Sequence, residues 1–334
     1  MLDGWRHGEV RDVHREMMRL TLEIVAKTLI DADISNEAEG VGEALGVSME
    51  RSSDQGSGVF LRMIPERIPT PGNVRYRRAT RRLDGIIHAI VNERRLSGAD
   101  TGDLLSMLLH AEDEDGNRMS DRQLRDEVMT IILAGHETTA IALSWTWYLL
   151  GEHPEAEVKL MVELEEVLEG RTPTVHDLPR LHYADAVIKE SMRLYPPAWA
   201  VGREAIEDCV IGGYHVPAET QMFISQYVTH RDPRHFDNPE TFDPDRWQDG
   251  RTNDLPAYAY FPFGGGPRLC IGSSFAKMEA VLLLAAVARR FHLEPVPEHT
   301  PVPQPSITLR PQGGVMTTFK ERSKSPPEGQ TIPR

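Results

Sequence analysis

A single thiol, Cys270, stands near the end of "FPFGGGPRLCIG", residues 261–272. Glycines at 264, 265 and 266 allow backbone geometries closed to other residues and let main-chain amides approach a ligand. An apolar run follows, so a helix is predicted to start just beyond the thiol. Its N-terminal dipole would point at the sulfur and favour the thiolate. A lone cysteine is most often a buried structural thiol. In this loop a stabilised thiolate suits a metal ligand or a nucleophile. A phosphate-cradling loop is a competing reading, but no Gly-Lys-Ser/Thr follows. Cys209 is the second of the two cysteines. Two are too few for a disulfide framework or a four-thiolate metal site, and a reducing cytoplasm is the expectation.

A second stretch, "AGHETTA" at residues 134–140, sets an acid and two hydroxyls inside a long apolar run. His136 beside Glu137 suggests a zinc protease, yet Ala140 stands where the second histidine is required. Gly135 costs a helix about 1 kcal/mol relative to alanine. Thr138 and Thr139 can bond back to carbonyls one turn earlier and bend the helix. On its own the motif reads as a kink. Opposite a reactive centre it would open a small-ligand pocket and offer an acid and a hydroxyl for proton delivery. Glu190 and Arg193 in "KESMRLYPP" stand at i, i+3, but Glu16 and Arg19 share that spacing. Exposed pairs of this kind contribute only about 0.2–0.5 kcal/mol.

The elements that must position these residues are mostly helical. Val10, Val13, Met17, Leu20 and Ile24 step by three and four residues, one helix face. A second helix is expected after Asn36, followed by a glycine-, serine- and proline-rich loop around Met63. Thr70 and Pro71 are predicted to cap and open a helix that buries Ala79, Leu83, Ile86 and Ile90. Its Arg75, Arg78, Arg81 and Arg82 read as a solvated face. Ser120 and Gln123 form a capping-box pattern ahead of a helix that is apolar nearly all round and runs until Pro154. Two further helices end at Pro196, and short strands begin at Val201. The formal charge of −14 over 334 residues argues against nucleic acid. No uninterrupted apolar run approaches membrane-spanning length and the start does not read as a signal peptide, so no membrane anchor is expected.

The order of these motifs resembles the cytochrome P-450 family. Phe263-x-x-Gly266-x-Arg268-x-Cys270-x-Gly272 is similar to its cysteine-ligand signature, and "AGHETT" to its oxygen-binding groove. Glu190-x-x-Arg193, with Arg246 and Trp247, resembles its structural ion-pair network. The resemblance reaches to the closing "PSITLRPQGGV". It implies a mainly α fold with a small β portion over residues 1–320, with a disordered tail over 321–334. It implies haem b, with Cys270 as the axial thiolate that pushes electron density onto iron and favours O–O cleavage. Phe263 would pack by the sulfur, and Gly264, Gly272 and Ala134 would border the cofactor. Arg268 and Arg203 would pair with the propionates. Glu137 and Thr138 match the family's acid–alcohol pair for proton delivery to oxygen. Ala198, Ala200 and Val201, the loop near Met63, and Ile307 and Thr308 match positions that line the substrate pocket. Cys209 has no role in the resemblance.

The implied reaction takes O2 and two electrons and inserts one oxygen atom into a C–H bond of a small, apolar, fatty-acid-like compound. Electrons would come from NAD(P)H through a ferredoxin, flavodoxin or flavin reductase. Members of the family that use or rearrange peroxides are disfavoured by Thr138 with Glu137. The resemblance also implies early helices and first strands ahead of Trp5, which this chain is expected to lack. Trp5-Arg6 does not match the tryptophan–basic pair that reaches the propionates. The alternative reading is a non-catalytic haem-binding fragment.

Overall fold

The computed structural model describes residues 2–34, 38–53 and 68–322. The loop around Met63 and the expected tail beyond 322 lie outside the described residues. Strand β1 (Glu9–Asp12) runs directly into α1 (Val13–Ile30). Asp12 caps the helix by accepting the His14 amide at 3.0 Å, so Val10 belongs to the strand and not to the helix face. The buried stripe runs through Val13, Met17, Thr21, Leu22, Val25 and Ala26, while Leu20 and Ile24 are only half-buried.

Helix α2 (Ala38–Ser53) packs on α3 (Pro71–Ser97). Thr70 caps α3 as predicted, accepting the Asn73 amide at 3.1 Å. Its buried line is Ala79, Leu83, Ile87 and Val91, so Ile86 and Ile90 sit at the edge of the interface. The four arginines named above are exposed. A short α4 (Leu104–His110), capped by Asp103, returns the chain to α5 (Asp121–Glu152). Both halves of the Ser120–Gln123 capping box are present. The helix α5 touches α1, α3 and α4. It is the one described helix long and apolar enough to cross a membrane, and most of that stretch is buried in the protein.

Helices α6 (Pro154–Leu168) and α7 (His182–Leu194) complete the centre. Strand β2 (Val201–Glu204) pairs antiparallel with β5 (Gln221–Ile224), enclosing the hairpin of β3 (Cys209–Ile211) and β4 (Tyr214–Val216). A single turn, α8 (Gln226–Thr229), opens the proline-punctuated stretch, and α9 (Ser273–Ala288) follows Cys270. The last strands are β6 (Phe291–Pro295), β7 (Val302–Pro305), β8 (Leu309–Gln312) and β9 (Met316–Glu321). β7 pairs with β8, and β9 lies between β1 and β6 in a three-stranded sheet. Trp5 is buried against Phe291 and Phe319, with centroids 5.3 and 4.4 Å away, and donates its indole N–H to Glu16. Its ring is therefore a core residue of the sheet.

Two apolar clusters result. One joins α5, α6, α7 and α9 to the three-stranded sheet, and the other joins α1 to α4 and the first half of α5. The architecture is mainly helical with a small β portion, as the sequence pattern predicts.

Candidate active site

The Cys270 loop is held from below by a buried ionic network. Glu190 and Arg193, on successive turns of α7, make a two-pronged pair: Arg193 Nε donates to Glu190 Oε2 at 2.9 Å and Nη2 to Oε1 at 2.8 Å. Arg246 Nε, Trp247 Nε1 and the Asp243 amide also donate to Glu190, at 3.0, 2.8 and 3.0 Å. The rest of the Arg193 fork donates to the carbonyls of His230, Pro239 and Thr241. Glu190 and Arg193 are both 0% exposed. The i, i+3 spacing thus marks a tertiary anchor that pins the irregular stretch after α8 to α7.

His230 carries that anchor into the loop. Its Nε2 accepts the Phe261 amide at 2.9 Å, which requires a neutral ring. Burial holds it neutral, pushing its pKa down to about 3. Beyond Phe261 the chain turns twice through left-handed backbone, at Gly264 (φ 73°) and Gly266 (φ 66°), where glycine avoids the Cβ penalty. The Cys270 amide donates to the Phe263 carbonyl at 3.0 Å, closing the loop under the ring that Lys277 covers at 5.3 Å. Gly272 is the N-cap of α9, so Cys270 sits just outside the positive end of that helix. Cys270 is exposed, flanked by exposed Leu269 and Ile271; Cys209 is half-buried in β3, and both thiols are free.

The centre of α5 is open on one side, just before its largely buried second half. Ala134 is exposed and Thr138, one turn on, is half-exposed, its hydroxyl donating to the Ala134 carbonyl at 2.8 Å. Thr139 makes the matching bond to Gly135 at 3.3 Å. Gly135 itself packs against α1: a Cβ there would lie 3.1 Å from Val25 Cγ2. Its small size brings α1 and α5 together.

Glu137 points elsewhere, as neighbouring helix positions must. It is 1% exposed, and its Oε1 accepts the Thr308 hydroxyl at 2.6 Å and Arg310 Nε at 2.7 Å. Along the same junction His14 Nδ1 lies 3.0 Å from Ser144 Oγ. Burial lowers the pKa of His14 and of His136.

The expected substrate-facing residues fall into one region. The Leu309 amide donates to the Pro197 carbonyl at 2.9 Å and Trp199 Nε1 to the Ser306 carbonyl at 2.8 Å. These bonds set Ala198, Ala200 and Val201, all half-buried, beside exposed Ile307. Thr308 is 5% exposed, and its hydroxyl is engaged by the acid on α5. Arg203 on β2 and Arg268 in the cysteine loop are exposed, and neither pairs with a carboxylate among the described residues. His230, Arg310 and Trp199 play parts that sequence spacing did not reveal. Thr308 precedes β8 and Arg310 lies within it, and both reach Glu137 from that end of the strand.

The donor set has a plain chemical meaning. Among the described residues no group of three or more His, Cys, Asp and Glu could hold a bare metal ion. One thiol on a backbone-anchored loop, with two unpaired arginines exposed, fits an iron already held by a macrocycle that carries carboxylates.

The comparisons agree with that chemistry and with the fold. The cytochrome P450 family model matches residues 6–319, and the chain belongs to that family. Cyclooctatin synthase of Streptomyces melanosporofaciens is 40% identical over 316 residues, 92% of this chain and 68% of that protein. Cyclooctat-9-en-7-ol 5-monooxygenase of the same organism is 41% identical, over 90% of this chain and 65% of its own. Pentalenene oxygenase of Streptomyces avermitilis is 37% identical, over 88% and 65%. The chain therefore spans about two thirds of the length of these relatives. Among solved structures, the cytochrome P450DA haem domain superposes with a TM-score of 0.85 at 29% identity, over 95% of this chain and 70% of that one. A retinoic acid-bound cyanobacterial CYP120A1 gives 0.86 at 26%, over 96% and 72%.

Proposed function

We propose that this chain is the haem-binding part of a monooxygenase that inserts one atom of O2 into a C–H bond of an apolar organic compound. The observation that carries the proposal is the Cys270 loop: a single thiol at the N-terminus of α9, on a backbone fixed by His230 and, through it, by the Glu190 network. In this proposal Cys270 is the axial ligand of haem b, Phe263 and Gly264 shield the sulfur, and Gly272 and Ala134 border the macrocycle. Arg268 and Arg203 bind its carboxylates. When bound, the haem supplies the iron at which O2 is activated. Thr138 Oγ1 holds a proton at the open side of α5, and Glu137 is the acid one position earlier in the helix. Ala198, Ala200, Val201 and Ile307 contact substrate, and residues 1–320 act as one unit.

Two of the named relatives act, by their names, on cyclooctat-9-en-7-ol and on pentalenene, which favours a ring-bearing, oxygen-poor compound as substrate class here. Half-buried Ala198, Ala200 and Val201 are apolar and small, in keeping with such a compound. Electrons come from a separate ferredoxin, flavodoxin or flavin reductase. Two free cysteines fit a reducing cytoplasm.

Cys270→Ser is expected to abolish the red-shifted ferrous–carbonyl band that marks a thiolate ligand, while Cys209→Ser leaves it in place. Loss of the band in the Cys209 variant, or its survival in the Cys270 variant, would overturn the assignment. Thr138→Ala is expected to keep the haem and divert at least half of the reducing equivalents into hydrogen peroxide, roughly a twofold or greater fall. Product formed per NADPH consumed, with one redox partner for both proteins, is the measurement. An unchanged ratio would reduce Thr138 to the helix bend.

A further inference from the structure

Glu279 is a buried acid without an ion-pair partner among the described residues, and the proposed chemistry does not use it. It lies on α9 at i+7 from Gly272 and i+3 from Ala276, so it continues the helix face that begins at the Cys270 loop. It is 5% exposed, and neither carboxyl oxygen has a hydrogen-bond partner among the described residues. Thr139 of α5 is its polar neighbour.

Among the described residues no charge opposes the burial. The elements packed on α9 are α5, α7, the 3-10 turn Val175–Arg180 and β6. On α5, Glu137 is paired with Arg310 and burial keeps His136 neutral. On α7, Glu190 and Arg193 are paired with each other and Lys189 with Asp185, and His182 is exposed. Asp177 of the turn is bound by Arg171, while His176 and Arg180 are exposed. On β6, His292 meets Glu157 and Glu294 meets Lys320. The other charge on α9, Lys277, is exposed over Phe263. An ionised carboxylate is costly in such a place, and the protein keeps the acid only by keeping it protonated.

Resting on the haem-thiolate reading, we propose that Glu279 is a tuning residue of the haem pocket. It is an uncharged carboxylic acid on the α9 face that leads from Cys270, so that the thiolate is the sole negative charge on that face at neutral pH. Burial pushes its pKa up to about 8, with the Thr139 hydroxyl offsetting part of the rise. In the unfolded chain a glutamate loses its proton near pH 4.3. The unfolded state therefore binds fewer protons between about pH 4.3 and 8, and stability falls as pH rises through that window.

The test compares the full chain with Glu279→Gln and Glu279→Leu. Infrared spectra of the wild type are expected to show a protonated-carboxyl band at pH 7 that fades around pH 8 and is missing from both variants. The folding equilibrium of the wild type should weaken by roughly 400-fold between pH 5 and pH 8 relative to Glu279→Gln. In the haem-loaded wild type the reduction potential should fall as pH rises through about 8, because an added negative charge favours ferric iron. The Gln variant should lack that step. A missing band at pH 7, parallel pH–stability curves, or a potential step that survives in Glu279→Gln would each overturn the proposal. Absence of the thiolate-haem spectrum would instead overturn the functional reading. The infrared and unfolding results need no haem and would still decide whether Glu279 is the buried acid.

Discussion

Glu190→Ala is expected to leave almost no folded protein. Removing one partner of a buried ion pair costs about 3–5 kcal/mol because the other charge stays buried without its counter-ion. Here two guanidiniums, those of Arg193 and Arg246, lose the same carboxylate at once. The Trp247 indole and the Asp243 amide are orphaned with them, each at about 1–3 kcal/mol. The sum matches or exceeds the whole stability of an ordinary domain, about 5–15 kcal/mol. Glu190→Gln keeps the shape and one acceptor oxygen, and an intermediate loss is expected. Soluble yield and urea unfolding of the three proteins give the measurement. A Glu190→Ala protein within about 1 kcal/mol of wild type would show that the stretch after α8 is held by something other than this network.

The same spacing at Glu16 and Arg19 shows why that anchor could not be read from sequence alone. There the acid takes the Trp5 indole and Arg11, and Arg19 turns to Glu23 on the helix surface. Two identical i, i+3 patterns differ only in what the rest of the fold packs over them. Local devices were legible because their physics is local. The Ser120–Gln123 box, the Thr70 cap and the start of α9 after Gly272 each depend on a few neighbouring residues. Helix faces were read less well. Steps of three and four are both compatible with a helix, so the pattern points to Ile86 and Ile90 where Ile87 and Val91 are buried. Val10 fitted the periodicity of α1 but pairs with Thr318, at the far end of the chain.

Within the site, the thiol loop was legible for the same reason. A glycine pair, an arginine, a cysteine and a helix start all fall inside a dozen residues. His230, Arg310 and Glu279 were not, because each acquires its role from a distant element: the Phe261 amide, the α5 acid, and the α5–α9 contact. Thr308 has a partner that a positional match does not reveal: its hydroxyl donates to Glu137 of α5.

That bond and its neighbour carry the second large effect. Arg310→Met is expected to destabilise the protein by about 3 kcal/mol, since it removes the cation paired with the Glu137 carboxylate, which is 1% exposed. The reverse change should cost less. The Arg310 side chain is 24% exposed and can reach water when the acid is replaced, so Glu137→Gln alone is expected to cost about 1 kcal/mol. In the double variant the buried charge is gone and a neutral amide remains for the Thr308 hydroxyl to meet. It should recover about half of the Arg310→Met loss, against about 4 kcal/mol if the two effects added, giving a coupling energy of about 2.5 kcal/mol. Urea unfolding of the four proteins at one pH measures the cycle. Additive effects, or an Arg310→Met loss under about 0.5 kcal/mol, would mean that α5 and β8 are joined by packing alone. A strong coupling would mean that whatever moves the last strands also moves the acid one position before Thr138.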